Sequence, residues 1–183
     1  MFIQTEDTPN PNTLKFMPGI VVLEKNTADF SSDKDANKSN LAKLLFEISG
    51  IARVFLGNDF ISVTKKDHLE WDILKPSILT AIMEHFASGK PIIEFDNEKN
   101  SVSEEDNEVV KQIKELIDQR VRPAVAMDGG DISFCSFDEG IVTLEMKGAC
   151  AGCPSSTATL KMGIENMLKH YIPEVTEVRA AEF

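Results

Sequence analysis

The chain has no apolar run of the about 18 residues that a membrane-spanning helix requires. A helical membrane protein is therefore not expected. Basic residues are scarce: 19 Lys and Arg stand against 30 Asp and Glu, a net charge of −11. Such a surface repels phosphates, which argues against nucleic acid or an anionic membrane as partner. Cysteine is sparse as well. Cys135, Cys150 and Cys153 are three in number, and an odd count does not describe a disulfide-stapled secreted domain. The opening stretch, Met1-Phe2-Ile3-Gln4-Thr5-Glu6-Asp7, lacks a basic start and an apolar run, and it is acidic and poor in Arg. The compartment expected is a reducing, cytoplasmic one, or the mitochondrial matrix if a transit peptide has been removed. Ser88-Gly89-Lys90 is followed by Pro91 and lacks the spaced glycine of a phosphate loop. Nothing points to a Ser-His-Asp triad or a catalytic carboxylate pair.

What is present is ordinary globular material. With 183 residues, 42% of them hydrophobic and 11 Phe to fill cores, one or two domains are expected. Charge marks the division. Residues 97–108 carry five acids, one Lys and a single apolar side chain, Val102. That stretch cannot bury anything, so it reads as a linker entering the first turn of a helix. The fold class expected is α+β: two small mixed domains, 1–96 and 105–183, joined by an acidic linker at 97–104.

In the first domain, the prolines and asparagines of Thr8-Pro9-Asn10-Pro11-Asn12 predict a turn. Strands are predicted at 13–17 and 20–24, with a polar loop at 29–39. Leu41, Leu44, Leu45 and Ile48 predict a helix over 40–49, stopped by Gly50. A hairpin is predicted at 52–56 and 60–64 around Gly57-Asn58-Asp59. A second helix spans about 72–87, with Pro76 expected in its first turn. In the second domain the predicted order is α-β-β-α-β. The helix runs over 103–121, capped by Ser103 and closed by Arg122-Pro123. A tight turn at Asp128-Gly129-Gly130-Asp131 follows, then strands at 132–137 and 141–147. A long helix reaches His170, and the last strand lies at 175–179. Leu160, Ile164, Met167 and Leu168 form its buried stripe.

Cys150-x-x-Cys153 is the strongest chemical signal. It lies between a strand and a helix, and Pro154 suits the first helical position, which makes Cys153 the N-cap. The positive end of the helix favours thiolate over thiol. Gly148 and Gly152 allow close backbone approach to whatever the sulfurs hold. The motif by itself suits metal or cluster binding, disulfide exchange, or neither. Ligand counting narrows this. Tetrahedral zinc and an iron–sulfur cubane each want four ligands. The motif supplies two, and His68, His85 and His170 are far apart in sequence. A four-thiolate site is therefore expected across a dimer, exposed and labile. Cys135 reads as a buried or half-buried strand residue rather than a ligand. Asp128 and Asp131 read as turn residues rather than cation ligands. His170 reads as a surface residue at a helix end, His68 as a loop residue, and His85 as a helix-surface or core-edge residue. Met127, Met146, Met162 and Met167 read as core filling.

Asp128-Gly129-Gly130-Asp131, the run Gly148-Ala149-Cys150-Ala151-Gly152-Cys153-Pro154-Ser155-Ser156 and the helix from Thr159 to Leu168 resemble the NifU-type C-terminal domain. Phe2-Ile3-Gln4-Thr5, Thr8-Pro9-Asn10-Pro11-Asn12, Leu14-Lys15-Phe16 and Gly57-Asn58-Asp59-Phe60-Ile61-Ser62-Val63-Thr64 resemble the N-terminal domain of Nfu-type iron–sulfur proteins. Asn40 departs from the proline expected before Leu41-Ala42. The resemblance implies a non-enzymatic scaffold or carrier. It implies a 4Fe–4S cluster bridged between two chains, with Cys150 and Cys153 as ligands. It also implies a homodimer when loaded, cluster donors, and apo iron–sulfur acceptor proteins. The competing readings are a thioredoxin-like thiol–disulfide exchange protein and a structural zinc-bridged dimer.

Overall fold

A computed structural model of the chain describes residues 1–94, 107–152 and 154–181. It has two compact units, Met1–Lys99 and Asn100–Phe183. The expected mixed α+β class holds in both. The acidic linker and the Ser103 cap lie outside the described residues.

Unit 1 runs β1 (Gln4–Asp7), β2 (Thr13–Met17), β3 (Ala28–Phe30), a 3₁₀ turn (Asp35–Lys38), α1 (Asn40–Phe46), β4 (Ile51–Leu56), β5 (Ile61–Lys65) and α2 (Trp71–Ser88). Its sheet has the order β1-β2-β5-β4-β3, antiparallel throughout. Phe16, Leu56 and Ile61 from the sheet meet Leu41, Leu45, Ile78 and Ile82 from the helices in one buried cluster. Ser39 caps α1, its hydroxyl accepting from the Ala42 amide at 3.1 Å. That bond fixes the helix start without the expected proline.

Several expectations fail here for local reasons. Residues 20–24 form no strand. The Val22 and Leu23 amides donate to the Asn58 carbonyl, and Asn58 Nδ2 donates to the Leu23 carbonyl at 2.8 Å. The hairpin turn thus holds this segment in place of a neighbouring strand. β1 and β3 were not predicted, since Gln4-Thr5-Glu6-Asp7 and Ala28-Asp29-Phe30 are short and lack apolar alternation. Helix α1 stops at Phe46, and Pro76 lies in the second turn of α2 rather than the first. Of the two positions expected for His85, helix surface and core edge, its 1% exposure rules out the surface.

Unit 2 runs α3 (Glu108–Leu116), a π-helical turn (Ile117–Val121), α4 (Arg122–Met127), β6 (Gly130–Asp138), β7 (Ile141–Gly148), α5 (Pro154–Tyr171) and β8 (Glu177–Ala180). The sheet order is β6-β7-β8. The first pair is antiparallel and the second parallel. Asn107 caps α3 by accepting from the Val110 amide at 2.9 Å. Arg122-Pro123 does not close the helix. The widened turn before it and the position of Pro123 in the first turn of α4 absorb the missing N–H. The expected four-residue turn is shorter, because Gly130 and Asp131 already belong to β6. The last strand begins at Glu177, two residues later than predicted. Ile113, Ile117, Ile132, Leu144, Ile164 and Leu168 are buried together, and Leu160 and Met167 pack against them. This is the expected α5 stripe. Met146 is half-buried, but Met127 and Met162 are exposed and fill no core.

Candidate functional site

Strand β7 delivers the chain to Gly148, and the next regular element is α5, beginning at Pro154. Between them the backbone folds on itself. The Cys150 amide donates to the Lys147 carbonyl at 3.3 Å, and the Ala151 amide donates to the Gly148 carbonyl at 3.1 Å. Gly148 and Gly152 take φ of 61° and 71°, a left-handed conformation that costs an L side chain on the order of 1 kcal/mol. The Ala149 amide donates to the Gly129 carbonyl at 3.1 Å, which ties this loop to the turn before β6. The Thr157 hydroxyl donates to the Cys150 carbonyl at 3.4 Å, a tie to the start of α5.

Cys150 is 7% exposed and packs into the apolar cluster of unit 2. Gly130, paired with Gly148 in the β6–β7 register, lies directly against it. A Cβ at Gly130 would sit 2.5 Å from Cys150 Sγ and 2.8 Å from the Lys147 carbonyl oxygen. An exposed site is expected from the sequence, yet Cys150 itself is buried: Gly130 supplies a flat backbone surface that covers the sulfur. Cys153 lies outside the described residues.

The strand bearing Gly130 is anchored at its next residue. Asp131 is 4% exposed. Its carboxylate accepts from Arg122 Nε at 2.9 Å, from Arg122 Nη2 at 3.0 Å and from the Ile132 amide at 2.8 Å. Arg122 Nη1 also donates to Asp118 at 3.2 Å. The Asp131 carboxylate raises the Arg122 guanidinium above its ordinary value, with Asp118 adding to the effect. Glu165 holds the other end of α5. It accepts from Lys169 and from the Val178 amide of β8, bonds that hold its carboxyl below the usual range. The β6 side of the loop thus rests on an anchored strand, and the C-terminal half of α5 is tied to β8.

Cys135 is not buried. It lies exposed at the β6 bulge, where the register shifts between Phe134 and Ser136. At about 3.3 Å per strand residue it is about 16 Å along β6 from Gly130, so it does not join Cys150. Partial burial of its sulfur, with Glu145 nearby, pushes its thiol above the ordinary range. His68 and His170 are exposed, as expected. No cluster of three or more His, Cys, Asp or Glu side chains suited to a metal occurs among the described residues. Sequence reasoning missed the Arg122–Asp131 pair and the contact of Gly130 with Cys150. The Gly129-Gly130 doublet is their only trace in the sequence, and by itself it spells turn chemistry alone.

The architecture is a two-unit α+β protein with a strand–CxxC–helix junction in the second unit. The family model described as the scaffold protein Nfu/NifU N terminal matches residues 3–89, and the NifU-like domain matches residues 113–179. NifU-like protein 4, mitochondrial, of Arabidopsis thaliana is 52% identical over 97% of the chain. The NFU1 iron-sulfur cluster scaffold homolog, mitochondrial, is 53% identical in Drosophila willistoni and 54% identical in Homo sapiens, again over 97% of the chain. The chain belongs to this Nfu/NifU-like family. It spans 65%, 63% and 71% of these three relatives, respectively.

Proposed function

We propose that this chain is an iron–sulfur cluster scaffold or carrier. Its cargo is a 4Fe–4S cluster held by Cys150 and Cys153 of two copies. The reading rests on one observation above all: a CxxC at a strand–helix junction, with no group of three or more His, Cys, Asp or Glu side chains suited to a metal among the described residues. A cluster needs about four protein ligands, so a second copy supplies the other pair. The names of the relatives support the cargo, and their mitochondrial designation favours the matrix alternative over a cytoplasmic one.

The chain performs no turnover chemistry in this reading. Its thiolates hold the cluster, and the acidic surface disfavours phosphate-bearing surfaces. Delivery is ligand exchange. An acceptor thiol forms one Fe–S bond as a bond to Cys150 or Cys153 breaks, and the departing thiolate takes the acceptor's proton. Iron and sulfide keep their oxidation states. Because the cargo bridges the copies, binding and dimerisation are linked.

The test is anaerobic reconstitution with iron and sulfide. The expected result is about two irons and two sulfides per chain, a 4Fe–4S Mössbauer signature and a dimer by solution mass. The Cys150→Ser/Cys153→Ser variant is expected to keep its fold and bind no cluster. Failure of the unaltered chain to take up cluster, with redox-active thiols, would transfer the assignment to thiol–disulfide exchange.

A further inference from the structure

Cys150 sits where a bridging ligand cannot work. A thiolate shared with a second chain must present its sulfur outward, yet Cys150 Sγ lies inside the core of its own unit, beneath Gly130. The packing leaves no room for a side chain, since a single added carbon at Gly130 would overlap the sulfur. The loop that carries Cys150 is bounded by glycines at positive φ on both sides, Gly148 and Gly152. Those two positions can change backbone conformation without the steric barrier that a side chain imposes. Between them, the Ala149, Cys150 and Ala151 amides donate to the Gly129, Lys147 and Gly148 carbonyls, and the Cys150 carbonyl accepts from the Thr157 hydroxyl. The elements outside the loop are fixed by the Arg122–Asp131 pair and by Glu165.

We propose that the loop at 148–152 is a two-position latch. The closed position stores the Cys150 thiol under Gly130, and rotation about Gly148 and Gly152 turns it outward to ligate a cluster. This rests on the carrier reading above and deepens it: the ligand is guarded until a donor or a second copy arrives. A stored thiol is protected from oxidation and from adventitious metal. The latch also gives release a direction, because return of Cys150 to the core removes a competitor for the iron while an acceptor thiol binds.

The experiment measures alkylation of Cys150 in the full-length Cys135→Ser/Cys153→Ser chain, prepared without iron. The expected result is alkylation at least tenfold slower in buffer than in urea. In the same background Gly130→Ala, whose Cβ takes the space of the sulfur, is expected to speed alkylation in buffer at least tenfold, with its circular dichroism unchanged. Equal rates for Cys150 in buffer and urea would overturn the latch. A second measurement does not depend on the variant folding. Amide exchange at 149–151 in the unaltered chain is expected to change on loading, while β6 and β7 amides away from the loop do not. Unchanged exchange at 149–151 on loading would also overturn it. Cluster uptake by the unaltered chain is scored separately. Uptake with an unprotected Cys150 would sink the latch and spare the carrier reading. No uptake by the unaltered chain would sink the carrier reading and the latch with it.

Discussion

Two buried polar groups, one in each unit, are treated in opposite ways. Unit 1 buries His85 among apolar side chains, and neither ring nitrogen has a hydrogen-bond partner among the described residues. Unit 2 buries Asp131 with three donors on its two oxygens. A neutral imidazole left unpaired costs on the order of 1–3 kcal/mol, and a large core tolerates that cost. A carboxylate left unpaired costs more, so it persists only where it positions something. Asp131 positions the strand start whose neighbour, Gly130, covers Cys150. Unit 1 is an antiparallel sheet closed by amphipathic helices. In unit 2 the positive-φ glycines Gly129, Gly148 and Gly152 and the Arg122–Asp131 pair lie around one loop.

The largest expected effect follows from removing that pairing. Asp131→Ala strands the Arg122 guanidinium and the Ile132 amide. Breaking a fully buried pair costs about 3–5 kcal/mol, but Arg122 is partly exposed, so about 2–3 kcal/mol is expected. Amide exchange at β6 and β7 should rise accordingly. Trp71 is the single Trp and lies in unit 1, so its fluorescence should report an unchanged unfolding midpoint for that unit. A loss confined to unit 1, or shared equally, would break the contrast.

These two buried groups also show what was legible in the sequence. The hairpin, α2, the β6–β7 pair and α5 were visible because apolar periodicity or turn glycines set them locally. The CxxC junction was visible because its residue types and spacing are short-range. Asp131 was read as a turn residue, since its partner Arg122 is brought to it by a π turn that no propensity announces. For His85 the sequence leaves helix surface and core edge both open, because helical spacing alone does not tell which polar residue falls beneath a neighbouring element. The burial of Cys150 was hidden for the same reason. Its cover is Gly130, 20 residues earlier, and only the β6–β7 register brings them together.

His85 gives the second prediction, smaller and pH-dependent. Burial, with Lys90 nearby, lowers its pKa in the folded chain. The unfolded value is about 6.5. Between the two the unfolded chain binds more protons, so the stability of unit 1 rises with pH there. It falls as pH drops from 7 through about 6.5, and levels off below the folded value. The Trp71 unfolding midpoint in urea should therefore shift between pH 7.5 and pH 5.5 more in the unaltered chain than in His85→Phe. Equal shifts would show that His85 does not hold its proton differently in the two states, and the contrast with Asp131 would lose its energetic basis.

The smallest expected effect sharpens the comparison within unit 2 itself, between its two described cysteines. Cys135→Ser is expected to change stability by less than about 0.5 kcal/mol, because the side chain is exposed at a bulge and contributes no core contact. Cluster uptake should be unchanged. A ligand must be a thiolate, and the surroundings of Cys135 push its thiol upward, away from ionisation at neutral pH. Its place on β6, about 16 Å along the strand from Gly130, also separates it from the loop. Iron and sulfide counts on this variant test both arguments together. Fewer than about two irons per chain would mean that Cys135 supplies a thiolate after all, and that the second copy approaches along β6 rather than at the β7–α5 loop.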